Sequence, residues 1–144
     1  EQPHKKIRRL FDSLNQKLSE AQQDFNQESR KLYYNFNKRS RIAQELFIEQ
    51  SRKLHDDFGR NAPVSLAELN VKMNLIRSEL NNTLGIARDT LQAQLKKLKD
   101  DLNQKSLVFQ QNFDEKMKDL DSREKKLLEQ QRIIIHKSWQ VSFI

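Results

Sequence analysis

A large apolar side chain returns at every eleventh position along the first part of the chain: Leu14, Phe25, Phe36, Phe47 and Phe58. Four residues earlier in each repeat stand Leu10, Ala21, Leu32, Ala43 and Leu54. Seven residues earlier stand Ile7, Leu18, Ser29, Ser40 and Ser51. Eleven residues spread over three turns make about 3.67 residues per turn, so a straight helix holds all three columns on one side with almost no drift. The segments starting at Phe25, Phe36 and Phe47 resemble one another closely enough to suggest duplication of an eleven-residue unit. Bulky Phe alternates there with Ser and Ala on the same face, which lets a facing helix interdigitate.

The second part of the chain carries the same beat. Leu69, Leu80, Leu91, Leu102 and Phe113 form one column; Met73, Leu84, Leu95, Ser106 and Met117 the next; Ile76, Ala87, Leu98, Phe109 and Leu120 the third. Gly85 is costly in a helix, about 1 kcal/mol against Ala. Since the columns cross it from Leu80 to Leu84, Ala87 and Leu91 without a phase change, one continuous helix with a soft spot is expected.

Between the two parts the pattern is broken by Phe58-Gly59-Arg60-Asn61-Ala62-Pro63-Val64-Ser65. Gly59 is the expected left-handed residue after a helix. Pro63 cannot continue one and disfavours helical geometry at Ala62. Ser65, with Glu68 three residues on, reads as a capping box. The sequence therefore predicts an all-α fold: a long antiparallel helical hairpin over 1–120, with a helix over 3–57, a turn at 58–65 and a helix over 66–120. Phe25, Phe36, Phe47 and Phe58 would meet Leu69, Leu80, Leu91 and Leu102 in the seam, and Gly59, Pro63 and Ser65 would make the turn.

Folding there sets residue i opposite about 123 minus i, with Ile7 near Lys116 and Phe36 near Ala87. The first arm is then exhausted near residue 120, where the second arm's columns also fail: Glu124 and Gln131 occupy column positions. Residues 121–144 are left as an extension with an apolar docking tail of Ile133, Ile134, Ile135, Trp139 and Phe143. Trp139, Val141 and Phe143 alternate with period two, a strand-like signature, so helix, strand and embedded peptide all stay open for this end. A tail this apolar is expected to meet another protein chain, fold back or insert in an interface.

Composition agrees with long helices. Of 144 residues, 33% are charged and only two are Gly and two Pro. The apolar fraction of 35% suffices for a seam but not for a large core. A hairpin alone covers one side of each Phe, so a homo-oligomer, a dimer first of all, closing into a helical bundle is expected. There is no cysteine, hence no disulfide and no thiolate chemistry. No run reaches the roughly 18–20 apolar residues that cross a bilayer. A chain opening on Glu1-Gln2-Pro3 reads as a processed or excerpted segment.

Catalysis finds no support. His4, His55 and His136 are far apart, and no Gly-rich phosphate loop, nucleophile elbow or HExxH is present. The pairs Asp56-Asp57, Asp100-Asp101 and Asp119/Asp121 read as solvated surface. No cofactor and no metal is expected. The net charge of +7 and pI near 9.7 favour acidic partners. Arg8, Arg30, Arg41 and Arg52 share one register of the repeat and could contact phosphates. Glu20, Asp24, Glu28, Glu45, Glu49, Asp56 and Asp57 in neighbouring columns dilute that row, so it reads first as a solvated face.

The leading expectation is a non-enzymatic, elongated coiled-coil structural or scaffolding protein acting by protein–protein interaction and self-association. A reversible binder of anionic lipid surfaces stands second: the eleven-residue repeat with its Pro-punctuated turn resembles exchangeable apolipoproteins, in period alone. The narrow stripe, interrupted by serines, favours helix packing over lipid. A cationic clamp for nucleic acid or an acidic client protein stands third.

Overall fold

The computed structural model describes residues 3–60 and 65–142, with the backbone alone for residues 3, 132 and 135–142. The fold is an all-α hairpin: α1 runs Pro3–Arg60, α2 runs Leu66–Ser142, and the two pack against each other. Pro3 opens α1, where its missing N–H has no intrahelical partner to lose.

The eleven-residue columns are the packed faces. All fifteen column positions of α1, from Ile7 to Phe58, and all fifteen of α2, from Leu69 to Leu120, are buried or half-buried. From Asp121 to Gln131 every residue is exposed. Burial therefore stops where α1 can supply no more partner. Among the described residues only Ala21, Ala43, Leu69, Ala87 and Leu91 are buried, and no large side chain is wholly enclosed. A half-buried Phe or Leu contributes about 1 kcal/mol, against 1.5–3 for full burial, so each seam position is worth less than a core position would be.

The chain divides into two compact units, Phe25–Asp100 and Glu1–Asp24 with Asp101–Ile144. In the first, Ala43 and Phe47 of α1 line a cleft with Leu80 and Ile76 of α2, a lining consistent with the predicted register, in which Ala43 is level with Leu80 and Phe47 with Ile76. In the second, the Phe11 and Phe113 rings lie 4.8 Å apart, tilted by 55°. Lys17 Nζ stands 5.8 Å over the Phe109 ring, a cation–π contact across the same seam.

Gly59 differs from expectation. It lies inside α1, no glycine in the described residues has a positive φ, and the helix runs on to Arg60. A helical glycine costs about 1 kcal/mol, too little to end a helix before the hard stop of Pro63 four residues later. Pro63 itself lies outside the described residues. Ser65 caps α2 as expected: the Glu68 amide donates to Ser65 Oγ at 3.2 Å and the Leu69 amide to the Ser65 carbonyl at 3.1 Å. The return bond of a full capping box, from the Glu68 carboxylate, is not made among the described residues.

α2 passes through Gly85 unbroken. It also continues through Ile133–Ile135 and Trp139 to Ser142, so the period-two alternation there does not produce a strand. Extending an existing helix adds one hydrogen bond per residue fixed, whereas a lone strand has no ladder to join. Phe143 lies outside the described residues.

Candidate functional site: the two sides of the hairpin

Apart from the seam, the chain offers the two flanks of the helix pair. Within the unit Phe25–Asp100 the two flanks differ in character. Successive residues in a 3.67-residue helix turn by about 98°, which sorts the positions of each helix to one flank or the other.

One flank is apolar and mixed in charge. Ile42 and Leu46 of α1 line the cleft of about 250 Å³ with Ala43, Phe47, Ile76 and Leu80. A neighbouring cleft of about 380 Å³ shares Gln50, Ile76 and Glu79 with it and adds Leu75. Ile42 is 52% exposed, Leu46 51% and Leu75 61%. Ile86, one repeat beyond Leu75 and therefore on the same line, is 51% exposed. Arg39, Lys53, Lys72, Asp57 and Glu79 border these clefts, so both signs of charge are present. The exposed apolar residues of this flank, Leu75 and Ile86 with Ile42 and Leu46, were missed in the sequence. Leu75 and Ile86 are one repeat apart, but Ile42 and Leu46 stand between charged or polar residues of their own columns (Lys31 and Lys53, Asn35 and Asp57), so the patch is legible only once the flank on which each helix opens is known.

The opposite flank is basic. Arg30, Arg41 and Arg52 lie on it, about 130° round α1 from the Phe column, and all three are exposed. Arg8 shares their register and is exposed in the other unit. Arg77, Arg88 and Lys99 repeat with the same period about 65° round α2 from its leucine column, also exposed. This second row was not anticipated. The acidic residues that seemed to dilute the first row stand elsewhere: Glu28 and Asp57 on the apolar flank, Glu45, Glu49 and Asp56 on the outer back of α1. Glu45 and Asp56 are one turn on from Arg41 and Arg52, yet neither pair comes within ion-pair distance.

The ion pairs that do form run along single helices, at three- and four-residue spacing: Lys31–Glu28 at 3.2 Å, Lys53–Glu49 at 3.5 Å, Arg123–Asp119 at 3.3 Å and Lys125–Asp121 at 3.4 Å. Each is solvent-exposed and worth a few tenths of a kcal/mol.

The seam holds one polar peculiarity. The Oγ atoms of Ser29, Ser40 and Ser51 are buried without a hydrogen-bond partner. Ser106, the seam serine of α2, instead accepts from Gln110 Nε2 at 3.3 Å. His4 is exposed, and His55 Nδ1 is 2.8 Å from the Ser51 carbonyl, a bond within its own helix. Among the described residues no three His, Asp or Glu side chains gather in a metal-holding group, and no helix is long and apolar enough to cross a membrane. Beyond the seam, Leu127, Leu128, Ile133 and Ile134 are exposed on α2; Ile135 and Trp139 are placed by backbone alone.

No family model, curated protein or solved structure matches this chain.

Proposed function

We propose that this chain is a non-enzymatic structural or scaffolding protein whose helical hairpin associates with a second copy of itself through the apolar flank. The carrying observation is the exposed row of Ile42, Leu46, Leu75 and Ile86 beside half-buried seam residues. The area left open supports it. The chain exposes 11990 Å², whereas a compact monomer of 17.2 kDa exposes about 7,800 Å². The difference exceeds the roughly 1,200–2,000 Å² that a stable interface buries. Charge supports it as well: the apolar flank carries both signs and can complement a copy of itself, while the basic flank would repel one. Attachment of a further chain along Leu127, Leu128, Ile133 and Ile134 would extend the same principle past the seam.

The test is sedimentation equilibrium of the unsubstituted chain and of Leu46→Glu combined with Leu75→Glu. Both residues are exposed in the hairpin, so the doubly substituted chain keeps its helicity and falls to the monomer mass. A variant that stays associated at the same strength refutes the flank as the interface. Flotation of the unsubstituted protein with anionic vesicles, together with a monomer in solution, would put the lipid-surface reading in its place.

A further inference from the structure

We infer that the basic flank of the hairpin is a docking surface for the phosphate backbone of a nucleic-acid duplex. The inference goes beyond self-association and does not depend on it. Its first support is uniformity of sign. Between Asn26 and His55, nine positions of α1 fall on this flank, and between Leu66 and Lys99 ten positions of α2 do. None carries a carboxylate, although the unit holds nine Asp and Glu, from Glu28 to Asp100. The cations are Arg30, Arg41, Arg52, Arg77, Arg88 and Lys99, with Lys96 beside the last. None of them has an ion-pair or hydrogen-bond partner among the described residues. No ion pair among the described residues neutralises the row, although Glu45 and Asp56 stand one turn on from Arg41 and Arg52.

The second support is spacing. In the register where residue i stands level with 123 minus i, Arg77 is level with residue 46, midway between Arg41 and Arg52. Arg88 is level with residue 35, midway between Arg30 and Arg41, and Lys99 with residue 24. The two rows thus interleave by half a repeat, and a positive charge recurs about every 8 Å along about 42 Å at 1.5 Å per residue. Over that length a duplex presents about a dozen phosphates on each strand. The eleven-residue repeat that makes the seam also makes this ladder, because both follow the same period on different sides of the helix.

The chemistry of the side chains narrows the partner. Five of the seven cations are Arg, whose planar fork meets phosphate oxygens two at a time. Between them stand neutral amides, among them Asn37, Gln44, Asn81 and Gln92, the side chains that commonly bond phosphate and sugar oxygens. Tyr33, 50% exposed between Arg30 and Arg41, offers a ring to a sugar or an unpaired base. A membrane is the poorer fit. A helix lying on lipid needs an apolar band beneath its basic edges; here the basic flank carries only Ile48 and, at the start of α2, Leu66 as exposed aliphatics, while Ile42, Leu46, Leu75 and Ile86 are on the other flank.

The experiment is a fluorescence-anisotropy titration with a labelled DNA duplex of about 20 base pairs, in salt from 50 to 200 mM. Vesicles rich in phosphatidylserine and polyglutamate serve as the competing polyanions. Six or seven phosphate contacts predict a log–log salt slope of about −5 to −6. Arg30→Gln, Arg41→Gln and Arg52→Gln together should weaken duplex binding about 100-fold at 50 mM and reduce the slope by about 3. Lys31→Gln, Lys38→Gln and Lys53→Gln remove the same charge from the other sides of the same helix and should change affinity less than about threefold. These six residues are exposed, so both variants fold, which their circular dichroism checks. Equal losses in the two variants would overturn the proposal, since net charge alone would then bind. It is equally overturned if the duplex does not bind at 50 mM, or if vesicles or polyglutamate bind as tightly as the duplex.

Discussion

Ser29, Ser40 and Ser51 are in the seam for their size, and their hydroxyls are a liability there. A small side chain beside each Phe lets the facing helix approach, which Ala would do equally well, as Ala21 and Ala43 do in the neighbouring column. The hydroxyl adds a buried group without a partner. Leaving such a group unsatisfied costs about 1–3 kcal/mol, and Ala is also the better helix former. Ser40→Ala should therefore stabilise the hairpin by about 1 kcal/mol in urea unfolding followed by helical circular dichroism. A loss of stability would show that the hydroxyl has a partner in solution. The sequence announced the small residue at these positions but not its orphaned oxygen, because satisfaction depends on the neighbouring carbonyls and on the facing helix rather than on residue type.

The elements were legible to different depths, and the reason is how many residues vote on each feature. Thirty seam positions at one period determine the two helices and their register, so a local misfit such as Gly85 is outvoted. Helix ends rest on a few residues, which is why Gly59 was misplaced while Ser65, whose side-chain oxygen has one specific amide to meet, was not. Trp139 and Val141 alternate like a strand but inherit the helix that precedes them. Two predictions belong to this scale. A Cβ added at Gly85 meets nothing within 4 Å, so Gly85→Ala should raise stability by about 1 kcal/mol in the same unfolding assay. Destabilisation would mean that this glycine is a bend the chain requires. Because these 144 residues contain no cysteine, Ala43→Cys with Leu80→Cys tests the register cleanly. The pair should oxidise to an intrachain disulfide with helicity retained, while Ala43→Cys with Ala87→Cys, two turns out of step, should not.

At the scale of the molecule, what decides behaviour is that a two-helix fold encloses little: five residues are buried among the described ones, and no large side chain is wholly enclosed. Each helix spends one face on the other, and the remaining surface is sorted by side. In the unit Phe25–Asp100 the flank with exposed apolar residues and both signs of charge is the one proposed to take a second copy, and the flank whose charged residues are all cations is the one proposed to take a polyanion. This sorting was invisible in the sequence, because Arg41 and Glu45 are close along the chain, and only the seam says which of them faces a flank and which the outer back. The two flanks also predict opposite salt responses. Apolar association is insensitive to ionic strength or strengthened by it, whereas phosphate contacts weaken steeply.

The mass of the unsubstituted chain in solution, measured by sedimentation equilibrium from low to high salt, tests the account most directly. A seam that leaves its apolar flank uncovered predicts twice the 17.2 kDa chain mass, held or strengthened as salt rises. A monomer at all salt concentrations, or an assembly that salt dissolves, would contradict it.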